Sequence, residues 1–119
     1  MMAREAAAFM RAFGDATRLR VIGLLAHRDL GVSQLARLLG CPPPRASRHL
    51  HYLEARGVVA SEPSGNAMVY SLASAGSTLH ENVMCVMLGA MPDMEESQLD
   101  VKRLGRQATT GRARSKKGK

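Results

Sequence analysis

Apolar residues recur at helical spacing through most of the chain, give way once to short strand-like runs, and then return to helical spacing. Ala6, Phe9, Met10 and Phe13 fall at i, i+3, i+4 and i+7, the stripe of an amphipathic first helix that Gly14 ends. Asp15 is placed to cap a second helix by accepting from the amide of Thr17 or Arg18. Leu19, Val21, Ile22, Leu24 and Leu25 give that helix a broad buried face. Residues 27–31 read as a polar turn. Val32, Leu35, Leu38 and Leu39 then mark a short third helix, stopped by Gly40.

The next stretch, GCPPPRASRHLHYLEARG, puts three prolines directly before a basic amphipathic segment. Proline is harmless in a first helical turn, where its missing N–H has no intrahelical partner. A residue that precedes proline is pushed out of the α region, so a fourth helix is expected to begin at Pro44, within one residue. Ala46, Leu50 and Leu53 would face the core, with Arg45, Arg48, His49 and Arg56 on the surface. The runs 58–60 and 68–72 are β-prone and flank a turn at residues 63–66, which predicts a hairpin.

From Ser77 the helical period returns. Leu79, Val83, Val86, Met87 and Ala90 line one side, and Met84, Leu88 and Met91 cover much of the other. A helix so apolar all round does not suit the surface of a small monomer. Pro92 breaks it, and Met94, Leu99, Val101 and Leu104 suggest a last helix in an acidic stretch. The expected product is one mainly helical domain with a small β-hairpin over residues 1–105. Residues 106–119 are expected to form a basic tail without fixed structure.

A chain of 119 residues suits a single core. Its aromatics are Phe9, Phe13, Tyr52 and Tyr70, so Leu, Val, Ala and eight Met must fill that core. No apolar run approaches the ~18 residues of a membrane span. The N-terminus, with Arg4 and Glu5, lacks the apolar run of a signal peptide. Cys41 and Cys85 are too few for a disulfide framework, and a cytoplasmic protein is expected. The net charge of +7 points to a polyanionic partner, but its distribution matters. Arg112, Arg114, Lys116, Lys117 and Lys119 crowd the tail, leaving +2 on residues 1–111. Residues 1–72 hold nine arginines against five carboxylates. An acidic middle, with Glu81, Asp93, Glu95, Glu96 and Asp100, follows.

Three helices, a basic fourth and a hairpin come in the order of a winged helix-turn-helix, whose fourth helix would enter the major groove with the hairpin as wing. The segments AFGDATRLRVIGLLA (12–26), VSQLARLLGC (32–41), SRHLHYLEARGVV (47–59) and GNAMVYSL (65–72) resemble the ArsR/SmtB family of bacterial repressors. The resemblance runs in continuous order over residues 6–72. It implies a homodimer on palindromic operator DNA, released by an inducer that in the family is usually a metal or metalloid ion. The first and the late apolar helix would form the interface, through Phe9, Leu79, Val83, Val86, Met87 and Ala90. Arg45, Ser47, Arg48 and His49 are the expected DNA contacts, with Gln34 on phosphate from the third helix. His51 is assigned to solvent or packing.

The chain departs from the family at its sensing sites. Metalloid sensors carry two cysteines in ELCVCDL, where this chain has DLGVSQL, with Gly31 and Ser33 in place of the thiols. Zinc sensors use Asp and His pairs on the late helix. Here His80, Glu81 and Cys85 do not assemble four ligands, so no metal and no cofactor is expected. His80 is expected to be a polar residue near a helix start. Cys41 and Cys85 offer a redox-sensing alternative, but a buried, inert thiol is the expectation for each. The wing carries Glu62 and no basic residue, so its hold on phosphate should be weak, and the tail is placed to compensate. The inducer stays unidentified. The alternative is a winged-helix module that binds protein or acts architecturally without operator specificity. An enzyme is not expected, since no catalytic arrangement stands out.

Overall fold

The computed structural model describes residues 1–106 as six α-helices and a three-stranded antiparallel sheet. Helix α1 (Ala3–Arg11) starts before the apolar stripe and runs into a turn that buries Ala12 and Phe13. Asp15 caps α2 (Ala16–His27) as expected, its Oδ2 accepting from the Arg18 amide at 3.0 Å. Val21, Ile22, Leu24 and Leu25 of α2 are buried.

One element was not expected. Within the expected polar turn, Leu30–Gly31 forms a short strand, β1, with Leu30 opposite Tyr70 and Gly31 opposite Val69. Two residues are too few to show a period, and Leu30 is drawn inside by the partner strand rather than by local propensity.

Helix α3 (Val32–Leu39) ends on Gly40, whose φ of 71° is the left-handed conformation that glycine adopts at no steric cost. The Cys41 amide then reaches back to the Ala36 carbonyl at 3.1 Å, closing the helix end. Helix α4 (Pro43–Ala55) follows at once, starting within one residue of the expected position. Its cap, Pro42, is extended at ψ 146°, and Pro43 and Pro44 occupy the first two helical positions.

Strands β2 (Val59–Ser64) and β3 (Ala67–Leu72) form the hairpin, longer than expected and turned tightly at Gly65 and Asn66. Pro63 therefore lies in a strand rather than in the turn. The sheet order β1-β3-β2 makes β2 an edge, where a missing N–H is tolerated.

Ser77 caps α5 (Thr78–Ala90) through the His80 amide at 3.1 Å. A 3-10 turn at Met91–Asp93 leads to α6 (Glu95–Arg106), which folds back on α2 and α3. There Asp100 is buried and bonds Arg20 of α2 at 2.9 and 3.0 Å, while Leu104 enters the core. The core centres on Ile22, Leu24, Leu30, Leu35, Leu38, Leu50 and Leu53, which join α2, α3 and α4 to the sheet. The basic tail expected beyond the last helix lies outside the described residues.

Candidate nucleic-acid interface

Ala46, Leu50 and Leu53 fix the inner face of α4. With 3.6 residues per turn, Arg48 falls almost opposite that face, and it is exposed. Arg45, one turn earlier, is exposed as well, and so is His51, which shares the outer arc as a solvent-facing residue. Ser47 and His49 sit half-buried on the two flanks. Among the described residues neither the Arg45 nor the Arg48 side chain makes a hydrogen bond or an ion pair. Both guanidinium groups are thus available to an external acceptor.

Other cations near this helix are already committed. Arg18 donates to the carbonyls of Ala12 and Arg11 at 3.1 and 2.9 Å. Its guanidinium lies 4.1 Å from the centre of the Tyr52 ring, and that of Arg56 lies 3.5 Å from the same ring. Tyr52 thereby gathers both arginines, one from α2 and one from the end of its own helix. On the next arc, Ser61 of β2 donates to Glu54 Oε2 at 2.7 Å and ties α4 to the wing. Behind it, burial pushes the Tyr70 hydroxyl up from its usual pKa, with Glu54 adding to the effect and a Ser61 hydrogen bond opposing it. These contacts fix how α4 is presented.

Burial also lowers the pKa of the His49 imidazole. Asp15 opposes that shift, and Arg18, Arg48 and Arg45 reinforce it. The group sits in a positive field that an incoming phosphate would reverse.

The prolines decide what the helix start can offer. A helix N-terminus ordinarily binds anions through unpaired backbone N–H groups. Pro43 and Pro44 have none, and the amides of Arg45 and Ala46 already donate to the Pro42 carbonyl at 3.0 and 3.2 Å. Contact must therefore come from side chains. Gln34 uses its Oε1 to accept from the Gly31 amide at 3.0 Å, so only its Nε2 remains for phosphate. The wing adds no cation, since no Lys or Arg occurs from Gly57 to Val101.

The expected interface residues divide. Helix α5 buries only His80, while Val83, Met84, Met87 and Leu88 rest half-buried on the chain's own core. Val86 is 69% exposed, Ala90 is exposed, and Leu79 is half-buried on that outward side. Phe9 is half-buried, its ring 5.3 Å from Phe13 and 5.0 Å from His80. Of the six residues, Val83 and Met87 thus serve the chain itself, and Leu79, Val86 and Ala90 face away from it.

One expectation needs correction. Cys41 is half-buried and Cys85 exposed, so neither is the buried thiol expected, because Cys85 lies off the arc that packs on the core. His80 does stand near a helix start, but it is buried, accepting from the Gly76 amide at Nδ1 with Nε2 unpartnered. Among the described residues, no three of His, Cys, Asp and Glu gather as a metal site.

Helices α2 to α4 with the β2–β3 wing make this a winged helix-turn-helix protein. The chain belongs to the ArsR family of bacterial regulatory proteins, whose family model matches residues 15–61. It is 38% identical to the HTH-type transcriptional regulator Rv2034 of Mycobacterium tuberculosis over 66 residues, 56% of this chain and 62% of that protein. The uncharacterized HTH-type transcriptional regulator MJ1325 of Methanocaldococcus jannaschii is 36% identical over 67 residues, 56% of this chain and 75% of that one. The fold matches the homodimeric winged helix-turn-helix domain of Mb0332 from Mycobacterium bovis with a TM-score of 0.62 at 21% identity, over 89% of this chain and 82% of that one. The chain thus spans less than two thirds of Rv2034.

Proposed function

We propose that the chain is a homodimeric, sequence-specific DNA-binding repressor whose α4 reads operator DNA and which an unidentified inducer releases. Arg48 carries the reading, being exposed, unpaired and opposite the buried face of a helix held on both flanks. Arg45, Ser47 and His49 share the contact, and Gln34 reaches phosphate through its Nε2. Arginine suits guanine O6 and N7 bidentately, and such a contact is worth about 1–3 kcal/mol of discrimination.

Phe9 with Leu79, Val86 and Ala90 forms the two-fold interface, because an apolar helix face this exposed needs a cover. The homodimeric Mb0332 domain is consistent with that arrangement. Residues 1–105 act as one DNA-binding and dimerisation unit, and the basic tail adds phosphate attraction that the wing, without a Lys or Arg, lacks. The protein binds rather than catalyses. No described helix is long and apolar enough to cross a membrane, in keeping with a cytoplasmic regulator.

A mobility shift on DNA upstream of the chain's own gene tests this, with Arg48→Ala as the control. The wild type should prefer that DNA over random sequence, and the variant should lose the preference. One observation favours a second reading, an architectural or protein-binding module: the wing offers Glu62 and no cation. Equal affinity for random DNA, unchanged in Arg48→Ala, would select it.

A further inference from the structure

We propose that the cavity between α2, the end of α5 and α6 binds a small amphipathic monoanion, an apolar chain or ring bearing one carboxylate. The cavity encloses about 530 Å³, inside the range of roughly 300–1,000 Å³ usual for small-molecule sites. Leu24, Leu88, Met91, Pro92 and Val101 make its walls apolar. Gly23 forms part of the floor and lets α6 and the 3-10 turn settle on α2. A Cβ there would meet Met91 Sδ at 3.2 Å and Ser97 Oγ at 3.5 Å.

The charge at the mouth selects the headgroup. The acid in the lining, Asp100, is matched by Arg20 at 2.9 Å, with Arg103 at 3.9 Å beside it. Lys102 lines the rim, is exposed and has no ion-pair partner among the described residues. His27, Ser97 and Gln98 add polar groups there. An apolar body with an anionic end fits both parts. A second copy is not the occupant, because the outward arc of α5 carries Leu79, Val86 and Ala90, whereas the cavity uses Leu88 and Met91.

The cavity wall is wired to the DNA-reading half. Arg20, which holds Asp100, also donates to the Leu38 carbonyl at the end of α3, at 3.3 Å. A ligand that displaces α6 therefore moves a group bonded to the helix-turn-helix. This coupling rests on the DNA-binding reading, whereas binding in the cavity does not.

Calorimetric titration of the full chain with decanoate, below its micelle concentration, tests the site. Decyltrimethylammonium supplies the same chain with the opposite head. Decanoate should bind saturably, one per chain, and about tenfold more tightly than the cation. Lys102→Glu should remove that preference. Val101→Trp, which fills the cavity from an exposed position, should abolish saturable binding with the thermal melt unchanged. No saturable binding, equal binding of the two heads, or full affinity in Val101→Trp would overturn the proposal. Saturating decanoate should then weaken operator binding about fivefold or more in the wild type. Unchanged operator affinity with the ligand demonstrably bound overturns the coupling. A chain that never prefers operator DNA counts against the DNA reading instead, and the titration stands by itself.

Discussion

Replacing Asp100 by leucine tests whether the return of α6 onto the domain is held by its buried ion pair. The carboxylate is 97% buried and accepts two charge-assisted hydrogen bonds from Arg20, at 2.9 and 3.0 Å. Removing one partner of a fully buried pair costs about 3–5 kcal/mol, most of it from the charge left behind. Arg20 keeps its bond to the Leu38 carbonyl, and its side chain is 21% exposed, so water recovers part of that penalty. The expected loss is about 2–3 kcal/mol, a fall of ~10 °C in Tm for a domain of this size. Urea unfolding at one fixed protein concentration measures it, because stability of a dimer depends on concentration. Arg20→Met and the double variant complete the cycle, and the double variant should be less destabilised than the sum of the singles. An Asp100→Leu loss below about 0.5 kcal/mol, with additive singles, would show that the pair does not hold the helix.

Four further outcomes are expected. Val86→Glu should turn the dimer into a monomer in sedimentation, since Val86 is 69% exposed in the single chain and little intrachain packing would be lost. A dimer that survives the change would move the interface elsewhere. Arg48→Ala should reduce operator affinity by about 1–3 kcal/mol, whereas loss of a phosphate contact at Arg45 should lower the salt slope by ~0.9. His49 has a folded pKa below its ordinary value, so the unfolded chain binds more protons, and stability is lost as pH falls through the histidine range. Phosphate would pull that pKa back up, so DNA binding takes up a proton and affinity rises as pH falls; a His49→Gln variant with the same pH profile would remove His49 from the interface. Gly57→Ala should destabilise by about 1 kcal/mol, read by urea midpoint, because φ is 78° there and the added Cβ meets no neighbouring atom.

Legibility in the sequence followed the range of the interaction. Asp15 and Ser77 accept from amides three residues on, and the Gly40 amide donates to carbonyls three and four residues back, all within reach of a local pattern. The outer face of α4 was legible too, because Ala46, Leu50 and Leu53 fix by elimination where Arg48 points. Leu30–Gly31 was not, since its strand exists only against β3, some forty residues on. Asp100 and Arg20 lie 80 residues apart, and a lone acid on the Leu104 side of a helix was the only sign of a buried partner. Helix α5 misled in another way. Both of its arcs are apolar, so periodicity could not say which one its own chain would cover: Val83 and Met87 rest on the chain's own core, and Cys85 is exposed.

The three prolines before α4 have a thermodynamic meaning as well. Each ring fixes φ in the unfolded chain as it does in the folded one, and a compatible proline stabilises by about 0.4–1 kcal/mol through that lost freedom. Pro42, Pro43 and Pro44 thus favour the start of α4 before any tertiary contact is made. A helix that arrives ordered surrenders little entropy on docking. It also cannot adjust its first turn to a poorly matched base step. In the proposed reading, mismatch is then felt in full by Arg45 and Arg48, and stiffness at the elbow becomes selectivity at the groove.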